Sequence, residues 1–215
     1  MRQLFSTVTL CIVLLSPANL WAQDPPKRSE AETKALARIR QLGGLALELA
    51  QNDPRLEVSY LNADGKITAE HLALLKELKG LVHLNLRGQP VTDDQLSLLK
   101  DLTDLTELHL EKTKITDKGL EQLKNLVNLE YLNLYGTQVS DAGLAHLDGM
   151  KKLKRLYLWQ TKVTDDGVVK LKKAVPNVDI NRGLDIDKPS DEKKDEGKKP
   201  DKKPNDEKKD EGKKK

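Results

Sequence analysis

The sequence predicts an α/β solenoid, a fold in which short strands and helices stack in repeated copies. Three segments follow one another at intervals of 24 residues: LHLEKTKITDKGLEQLKNLVN (108–128), LNLYGTQVSDAGLAHLDGMKK (132–152) and LYLWQTKVTDDGVVKLKKAVP (156–176). Each begins with the alternation of a strand and continues with apolar residues at helical spacing. One copy cannot bury its own leucines, whereas stacked copies can, so repetition at this period indicates a solenoid.

Residues 1–22 predict a secretory signal peptide. They contain a short basic start, an apolar run over 8–15 and a cleavage site after Ala22. The run is too short to cross a bilayer, so we expect no membrane span in the mature form. Cys11, the single cysteine, lies in this run, and its removal leaves a chain that cannot form disulfides. The sequence therefore predicts an exported protein that is periplasmic, cell-surface or secreted.

Residues 23–56 predict an N-terminal cap made of a helix and a strand. Residues 29–42 have the pattern of an amphipathic helix capped by Ser29, and Gly43 and Gly44 end it. The next segment alternates leucine with small or charged residues. This alternation predicts a half-buried strand with three leucines on its apolar face, Leu45, Leu47 and Leu49.

Residues 57–183 predict the solenoid itself. In each copy Leu-x-Leu is a short strand with two residues pointing inward. A first copy over 57–80 turns Tyr60 inward, at the position that Leu84 holds in the next copy. A truncated last copy includes Ile180.

The segment that joins strand to helix has its own repeated polar pattern. Helix N-caps, each followed by an acid that favours the positive end of the helix, are predicted at Thr116-Asp117, Ser140-Asp141 and Thr164-Asp165. Close approach of helix and strand is expected at Gly119, Gly143 and Gly167. Hydroxyl bonds to the neighbouring loop backbone are expected from Thr113, Thr137 and Thr161, a pattern from which Gln89 departs.

The pattern L-x-x-L-x-L-x-x-T-x-V/I-T/S-D-x-G-L resembles leucine-rich repeats of the ribonuclease-inhibitor-like and F-box-associated type. It is especially similar to small exported bacterial leucine-rich-repeat proteins, which often open with a helix ending in Gly-Gly, as at Gly43 and Gly44. The resemblance covers roughly residues 30–182. It implies a right-handed α/β horseshoe of about five 24-residue repeats, whose ligands vary within the family.

Residues 184–215 consist almost entirely of Lys, Asp, Glu, Gly and Pro, with DEKKDEGKK occurring twice. Because it has no large apolar side chain after Ile186, this segment cannot offset the entropy of ordering, so a disordered, solubilising tail is predicted. The alternative is a loose contact between this charged tail and a surface such as a cell envelope. The whole chain is 33% charged but has a formal net charge of only +3, which argues against a nucleic-acid partner.

The motifs of common enzymes and metal sites are not found in the sequence. NADGKIT (62–68) resembles a calcium loop, but Tyr60 and His71 occupy two of the ligand positions. The four histidines lack metal-ligand spacing, and neither a Gly-x-Ser-x-Gly nor a glycine-rich phosphate loop is present. The sequence therefore predicts a non-enzymatic protein without a cofactor or a metal.

The residues that flank the strand leucines are expected on the concave face of the sheet, where they form three columns. The first column holds His83, Glu107, Tyr131 and Arg155, the second Asn85, His109, Asn133 and Tyr157, and the third Arg87, Glu111, Tyr135 and Trp159. Neighbouring strands are ~4.8 Å apart, so successive members of a column should touch.

Aromatic residues are concentrated on this predicted face. Beyond the leader, Tyr60 is expected to point inward, and the other four are Tyr131, Tyr135, Tyr157 and Trp159. Large residues on a sheet can simply cover one another, but clusters of Tyr, Trp and Arg also form interface hot spots. We therefore predict a protein or peptide ligand, held by Tyr131, Tyr135, Arg155, Tyr157, Trp159, His109 and Glu111. The alternative is an envelope carbohydrate-binding protein that uses the same rings.

Overall fold

The computed structural model describes residues 27–63 and 67–183. The predicted signal peptide (1–22), part of the calcium-like loop and the predicted charged tail (184–215) lie outside the described residues. The α-helices are α1 (Glu30–Gln41), α2 (Ala69–Ala73), α3 (Asp93–Leu96), α4 (Asp117–Leu123), α5 (Asp141–Leu144) and α6 (Asp165–Ala174). Short 3-10 helices extend three of them, at Leu74–Glu77, Ser97–Leu99 and Ala145–Leu147. The strands are β1 (Leu45–Glu48), β2 (Leu56–Ser59), β3 (Leu81–Asn85), β4 (Glu107–His109), β5 (Tyr131–Asn133), β6 (Arg155–Tyr157) and β7 (Asp179–Asn181).

The strands of the described residues form one seven-stranded sheet in chain order, from β1 to β7. β1 pairs with β2 in the antiparallel sense, and every later pair is parallel. From β3 onward the register is the predicted one, since Leu84, Leu108 and Leu132 lie side by side. We call the exposed side of this sheet, which is the concave face of the prediction, the open sheet face.

A continuous apolar core fills the space between the sheet and the helices. Its strand members, such as Leu108, Leu132 and Leu156, are fully buried. Tyr60 is also fully buried, as predicted, and its hydroxyl donates to the carbonyl of His71 at 3.2 Å. Burial raises the pKa of this tyrosine. Among the described helices, none is long and apolar enough to cross a membrane.

Three repeated aspartates, Asp93, Asp117 and Asp141, each join their own copy to the next. The carboxylate of Asp93 accepts from the Thr116 N–H at 2.7 Å and from the Thr116 hydroxyl at 2.6 Å. Asp141 accepts in the same way from Thr164, at 2.8 and 2.6 Å. The predicted N-caps are confirmed, because the hydroxyls of Thr116, Ser140 and Thr164 also accept from backbone N–H groups of their own helices. The aspartates therefore do more than favour a helix end, since each links two copies.

The helix glycines were predicted to allow close approach of a strand, but their nearest neighbour is an aspartate of the preceding copy. A Cβ placed on Gly119 would lie 2.5 Å from Oδ1 of Asp93, so glycine makes room for the carboxylate of the preceding copy. Gly143 makes room for Asp117 in the same way, and Gly167 makes room for Asp141. The copy before Gly119 supports this interpretation. There the glycine position holds Gln95, and the position that would supply the carboxylate holds Ala69, so no space for a carboxylate is needed.

The prediction about the loop threonines was also wrong. The hydroxyl of Thr113 donates to the carbonyl of Leu110 within its own copy at 2.7 Å, and Thr137 and Thr161 do the same. Gln89 is longer, and its amide donates to the Tyr60 carbonyl of the preceding copy at 2.8 Å. The apparent exception is thus the residue that makes the expected cross-copy bond.

Two further corrections concern the N-terminal end of the sheet. In β1 the inward residue is Ala46, whereas Leu45 and Leu47 are 53% and 50% exposed. Helix α1 leaves little room here, because a Cβ on Gly44 would lie 2.7 Å from both Ile39 and Tyr60. In addition, Leu84 pairs with Val58 rather than with Tyr60, so the first copy carries two extra residues after its strand.

Candidate functional site

The open sheet face carries the predicted columns in the predicted register. Glu107 lies between His83 and Tyr131 in the first column, and His109 lies between Asn85 and Asn133 in the second. The structure extends these columns at both ends, through Leu47 and Leu45 on β1, Glu57 and Ser59 on β2, and Asp179 and Asn181 on β7.

The third column lies just beyond the strand ends and is held by backbone hydrogen bonds. The N–H of Lys112 donates to the Tyr135 carbonyl at 2.7 Å, and the N–H of Gly136 donates to the Trp159 carbonyl at 2.9 Å. Lys112 and Gly136 both have positive φ angles, 56° and 68°. This left-handed turn directs the chain away from the sheet after each third-column residue.

The first ring group on the face is formed by His109, Tyr131 and Tyr157. The ring centroids of His109 and Tyr131 are 4.8 Å apart, and those of Tyr131 and Tyr157 are 5.3 Å apart. The Arg155 guanidinium lies 4.9 Å from the Tyr131 centroid, within the range of a cation–π contact. Burial raises the pKa of the Tyr131 hydroxyl, and the nearby Glu111 carboxylate adds to this effect.

The second ring group is the stack of Tyr135 and Trp159. Their centroids are 5.2 Å apart and their planes differ by 25°. The Lys112 ammonium lies 5.6 Å from the Tyr135 centroid. The backbone of Gly183 lies against the indole of Trp159, because a Cβ at that position would lie 2.6 Å from Cγ of the ring. Trp159 is nevertheless 47% exposed, so this stack presents aromatic surface to solvent.

Glu111 differs from the prediction, which placed it on the exposed face. It is only 5% exposed. Its Oε1 lies 3.0 Å from Nδ1 of His109, whereas its Oε2 is buried and has no hydrogen-bond partner. Glu111 belongs to the lining of a cavity of about 320 Å³, which we call the aromatic cavity and whose lining residues are Arg87, Glu111, Asn133, Tyr135, Tyr157, Trp159 and Asn181.

A charged group lies at the other edge of the same face. Glu107 is 3.7 Å from Arg155 and 4.0 Å from Nε2 of His83. Arg155 therefore contacts both the Tyr131 ring and a carboxylate of an earlier copy. Within the part of the chain that the structure describes, no group of three or more His, Cys, Asp or Glu residues is arranged to hold a metal ion.

The structure brings six of the seven predicted site residues together on the open sheet face, with Glu111 beneath them. Sequence reasoning missed Asn181, which lines the aromatic cavity together with Asn133. The signal was available, because Asn181 lies 24 residues after Tyr157. The last copy is truncated and only Ile180 was assigned to it, so the second column was ended at Tyr157.

A family model described as leucine-rich repeat matches residues 101–124. No curated protein sequence matches the chain.

Several solved structures are similar to the chain. An internalin from Listeria monocytogenes is 26% identical over 60% of this chain and 35% of its own, with a TM-score of 0.47. A leucine-rich-repeat protein from Leptospira interrogans is 21% identical over 54% of this chain and 34% of its own, with a TM-score of 0.36. The chain thus spans about a third of the length of these two proteins. The ectodomain of the receptor kinase SOBIR1 from Arabidopsis thaliana is 17% identical over 73% of this chain and 93% of its own, with a TM-score of 0.42.

The fold therefore rests on three observations that agree. The chain repeats a leucine pattern every 24 residues. Its strands form one sheet in chain order that is parallel from β2 onward, with helices on the opposite side of the core. The family match falls within the repeated region. The chain folds as an α/β leucine-rich-repeat solenoid.

Proposed function

We propose that the chain is a non-enzymatic module that binds a protein or peptide partner on its open sheet face and acts outside the cytoplasm. One observation carries the proposal. Four aromatic residues lie on this face although the core is complete without them, and they are Tyr131, Tyr135, Tyr157 and Trp159. Tyrosine, tryptophan and arginine are the residues most enriched among interface hot spots.

The competing explanation is that these rings only pack against one another on the sheet. Such packing is present, since Tyr131 contacts Tyr157 and Tyr135 stacks on Trp159. Packing alone would favour closing off the surface, yet Trp159 remains 47% exposed beside an open cavity. A large ring that is held in place but half exposed loses little entropy on binding, which favours its use as a contact residue.

Affinity capture tests this proposal. The intact chain and the double variant Tyr135→Ala/Trp159→Ala are immobilised and exposed to extracellular proteins of the source cells. The matched control is Glu57→Ala/Ser59→Ala, two positions of the same face at the other end of the sheet. We expect the aromatic variant to lose the partner that the intact chain and the control retain. Equal capture by all three would place the binding site elsewhere.

Carbohydrate binding is the second candidate, and the aromatic cavity favours it. Rings of Tyr135, Tyr157 and Trp159 line the cavity together with the amides of Asn133 and Asn181. Rings can pack on a sugar while amides hydrogen-bond its hydroxyls. Binding to a glycan array that survives high salt would support this candidate, whereas capture of one protein partner would support the first.

Action outside the cytoplasm rests on the predicted signal peptide in residues 1–22. Export with cleavage after Ala22 would give a mature chain that starts at Gln23. Amino-terminal sequencing of the protein from the extracytoplasmic fraction tests this expectation. A chain that keeps Met1 and stays in the cytoplasmic fraction would contradict it.

A further inference from the structure

The aromatic cavity contains a carboxylate that the protein itself leaves incompletely paired. Glu111 is only 5% exposed, and its Oε1 contacts Nδ1 of His109. Its Oε2 has no hydrogen-bond partner in the described part of the chain. Leaving a buried acceptor of this kind unsatisfied costs about 1–3 kcal/mol, and more when the group is charged. Such an atom in a well-packed fold calls for an explanation.

Two cations, Arg87 of the same cavity and Lys112 next in the chain, leave Oε2 of Glu111 without a hydrogen bond. Arg87 lines the same cavity from the preceding copy, but its side chain makes no hydrogen bond or ion pair with the described residues and is exposed. Lys112 follows Glu111 directly, and its ammonium lies over the Tyr135 ring. Neither of these two cations pairs with Oε2.

The walls of the aromatic cavity suit a positively charged group. The faces of tyrosine and tryptophan attract cations through the ring quadrupole, most strongly where water is excluded. Tyr135, Tyr157 and Trp159 supply such rings, and Glu111 adds a carboxylate to the same lining. The cavity volume, about 320 Å³, is roughly ten times the ~30 Å³ of one liquid water, so a long side chain fits.

We propose that the aromatic cavity receives a lysine or arginine side chain of the protein partner, with the rings around its cation and Glu111 as its counter-charge. The inference rests on the proposed function and adds the chemistry of the partner. Because Oε2 is buried, the side chains that cover it have to move before the entering cation donates to that oxygen. Arg87, a like charge in the same cavity, weakens this attraction.

Short peptides test the inference directly. The probes are acetyl-Lys-Lys-Lys-amide, the corresponding arginine peptide, and the lysine peptide with all three side-chain amines acetylated. The protein is the full chain carrying Trp21→Phe, so that Trp159 is its one tryptophan. Its emission is followed during titration at about 10 mM salt, where surface charges are weakly screened. We expect a saturable change with the lysine and arginine peptides and none with the acetylated peptide.

Variants of the charged residues sharpen the test. Glu111→Gln keeps the size of the side chain and should weaken binding of the lysine peptide about tenfold or more, the effect of losing a hydrogen bond between charged groups. Arg87→Gln should tighten binding about two- to fivefold, because it removes a like charge. The control Glu57→Gln, a carboxylate of the same face outside the cavity, should leave the affinity within about twofold.

Each contrary outcome overturns the inference. Equal responses to the charged and acetylated peptides would do so without any variant, and so would the absence of a saturable response. An unchanged affinity in Glu111→Gln would remove the carboxylate from the account. These failures are distinct from failure of the proposed function, because loss of partner capture in Tyr135→Ala/Trp159→Ala would still support a binding site on the open sheet face.

Discussion

Asp117 and Ser140 join two consecutive copies of the solenoid through both oxygens of one carboxylate. Oδ1 of Asp117 accepts from the Ser140 N–H at 2.7 Å, and Oδ2 accepts from the Ser140 hydroxyl at 2.6 Å. The same hydroxyl accepts from the N–H of Ala142 and so caps helix α5. One side chain therefore sets both the stacking of the copies and the start of the next helix.

Removal of this carboxylate should destabilise the fold. Asp117→Ala leaves the N–H and the hydroxyl of Ser140 without their acceptor, and each lost hydrogen bond involves a charged group. We expect a loss of about 2 kcal/mol or more in the free energy of unfolding, measured by urea denaturation. The control Asp148→Ala removes an exposed carboxylate outside this pattern and should cost less than about 0.5 kcal/mol. Similar losses in both variants would contradict the linking role.

Gly143 should be intolerant of alanine only while Asp117 is present. The three atoms nearest to a Cβ at this position all belong to Asp117. Gly143→Ala should therefore cost about 1–3 kcal/mol through overpacking, although alanine normally favours a helix over glycine. In the Asp117→Ala background the same change should cost much less, which a double-mutant cycle of unfolding free energies measures. Additive effects of the two changes would refute the contact.

The link between Asp141 and Thr164 predicts a loss of stability in acid. Hydrogen bonds from the hydroxyl and the N–H of Thr164 lower the pKa of Asp141 below its ordinary value. Because the folded-state pKa is the lower one, the contribution of Asp141 is present above the unfolded-state pKa of ~3.9. It is lost as the pH falls through the folded-state pKa. Unfolding free energies measured from pH 6 to pH 2 should therefore fall less steeply in Asp141→Asn than in the intact chain, and parallel curves would contradict the assignment.

The sequence predicted the fold well wherever the copies have equal length. From Leu84 to Leu156 a single spacing of 24 residues determines which leucines pair, so the register followed directly. The 24-residue spacing gave the wrong pairing at Tyr60, because two extra residues follow β2 and Leu84 pairs with Val58 instead. Alternation in β1 could not reveal which side faces the core. The small space beside Gly44 decided in favour of Ala46.

The positions of the candidate site residues on the sheet could be predicted, but the burial of their side chains could not. Column membership follows from strand alternation, and the rings lie where it places them. The burial of Glu111 could not be read from the sequence, because it depends on how the surrounding side chains pack in three dimensions. The contact between Gly143 and Asp117 was likewise hidden, since it joins two copies whose helices had to be placed first.

The assigned register makes a direct prediction about the core. Leu132 is fully buried between its counterparts in the neighbouring copies, so Leu132→Ala should cost about 2–5 kcal/mol in unfolding free energy. Lys118→Ala, on an exposed turn of helix α4, should cost less than about 0.5 kcal/mol. Chemical denaturation of both variants decides the matter, and equal costs would mean that the register is wrong.

The emission of Trp159 during partner binding tests the central claim most directly, because this residue lies on the open sheet face and is 47% exposed. In the Trp21→Phe chain, saturation with the captured partner should shift the emission of Trp159 to shorter wavelength as water leaves the ring. Tyr135→Ala should weaken binding of the same partner by about 2 kcal/mol, the effect of losing an interface hot spot. It should leave the thermal midpoint of the protein nearly unchanged. A partner that binds fully without altering Trp159 emission, and with unchanged affinity in Tyr135→Ala, would show that the aromatic cluster is sheet packing and that the binding face lies elsewhere.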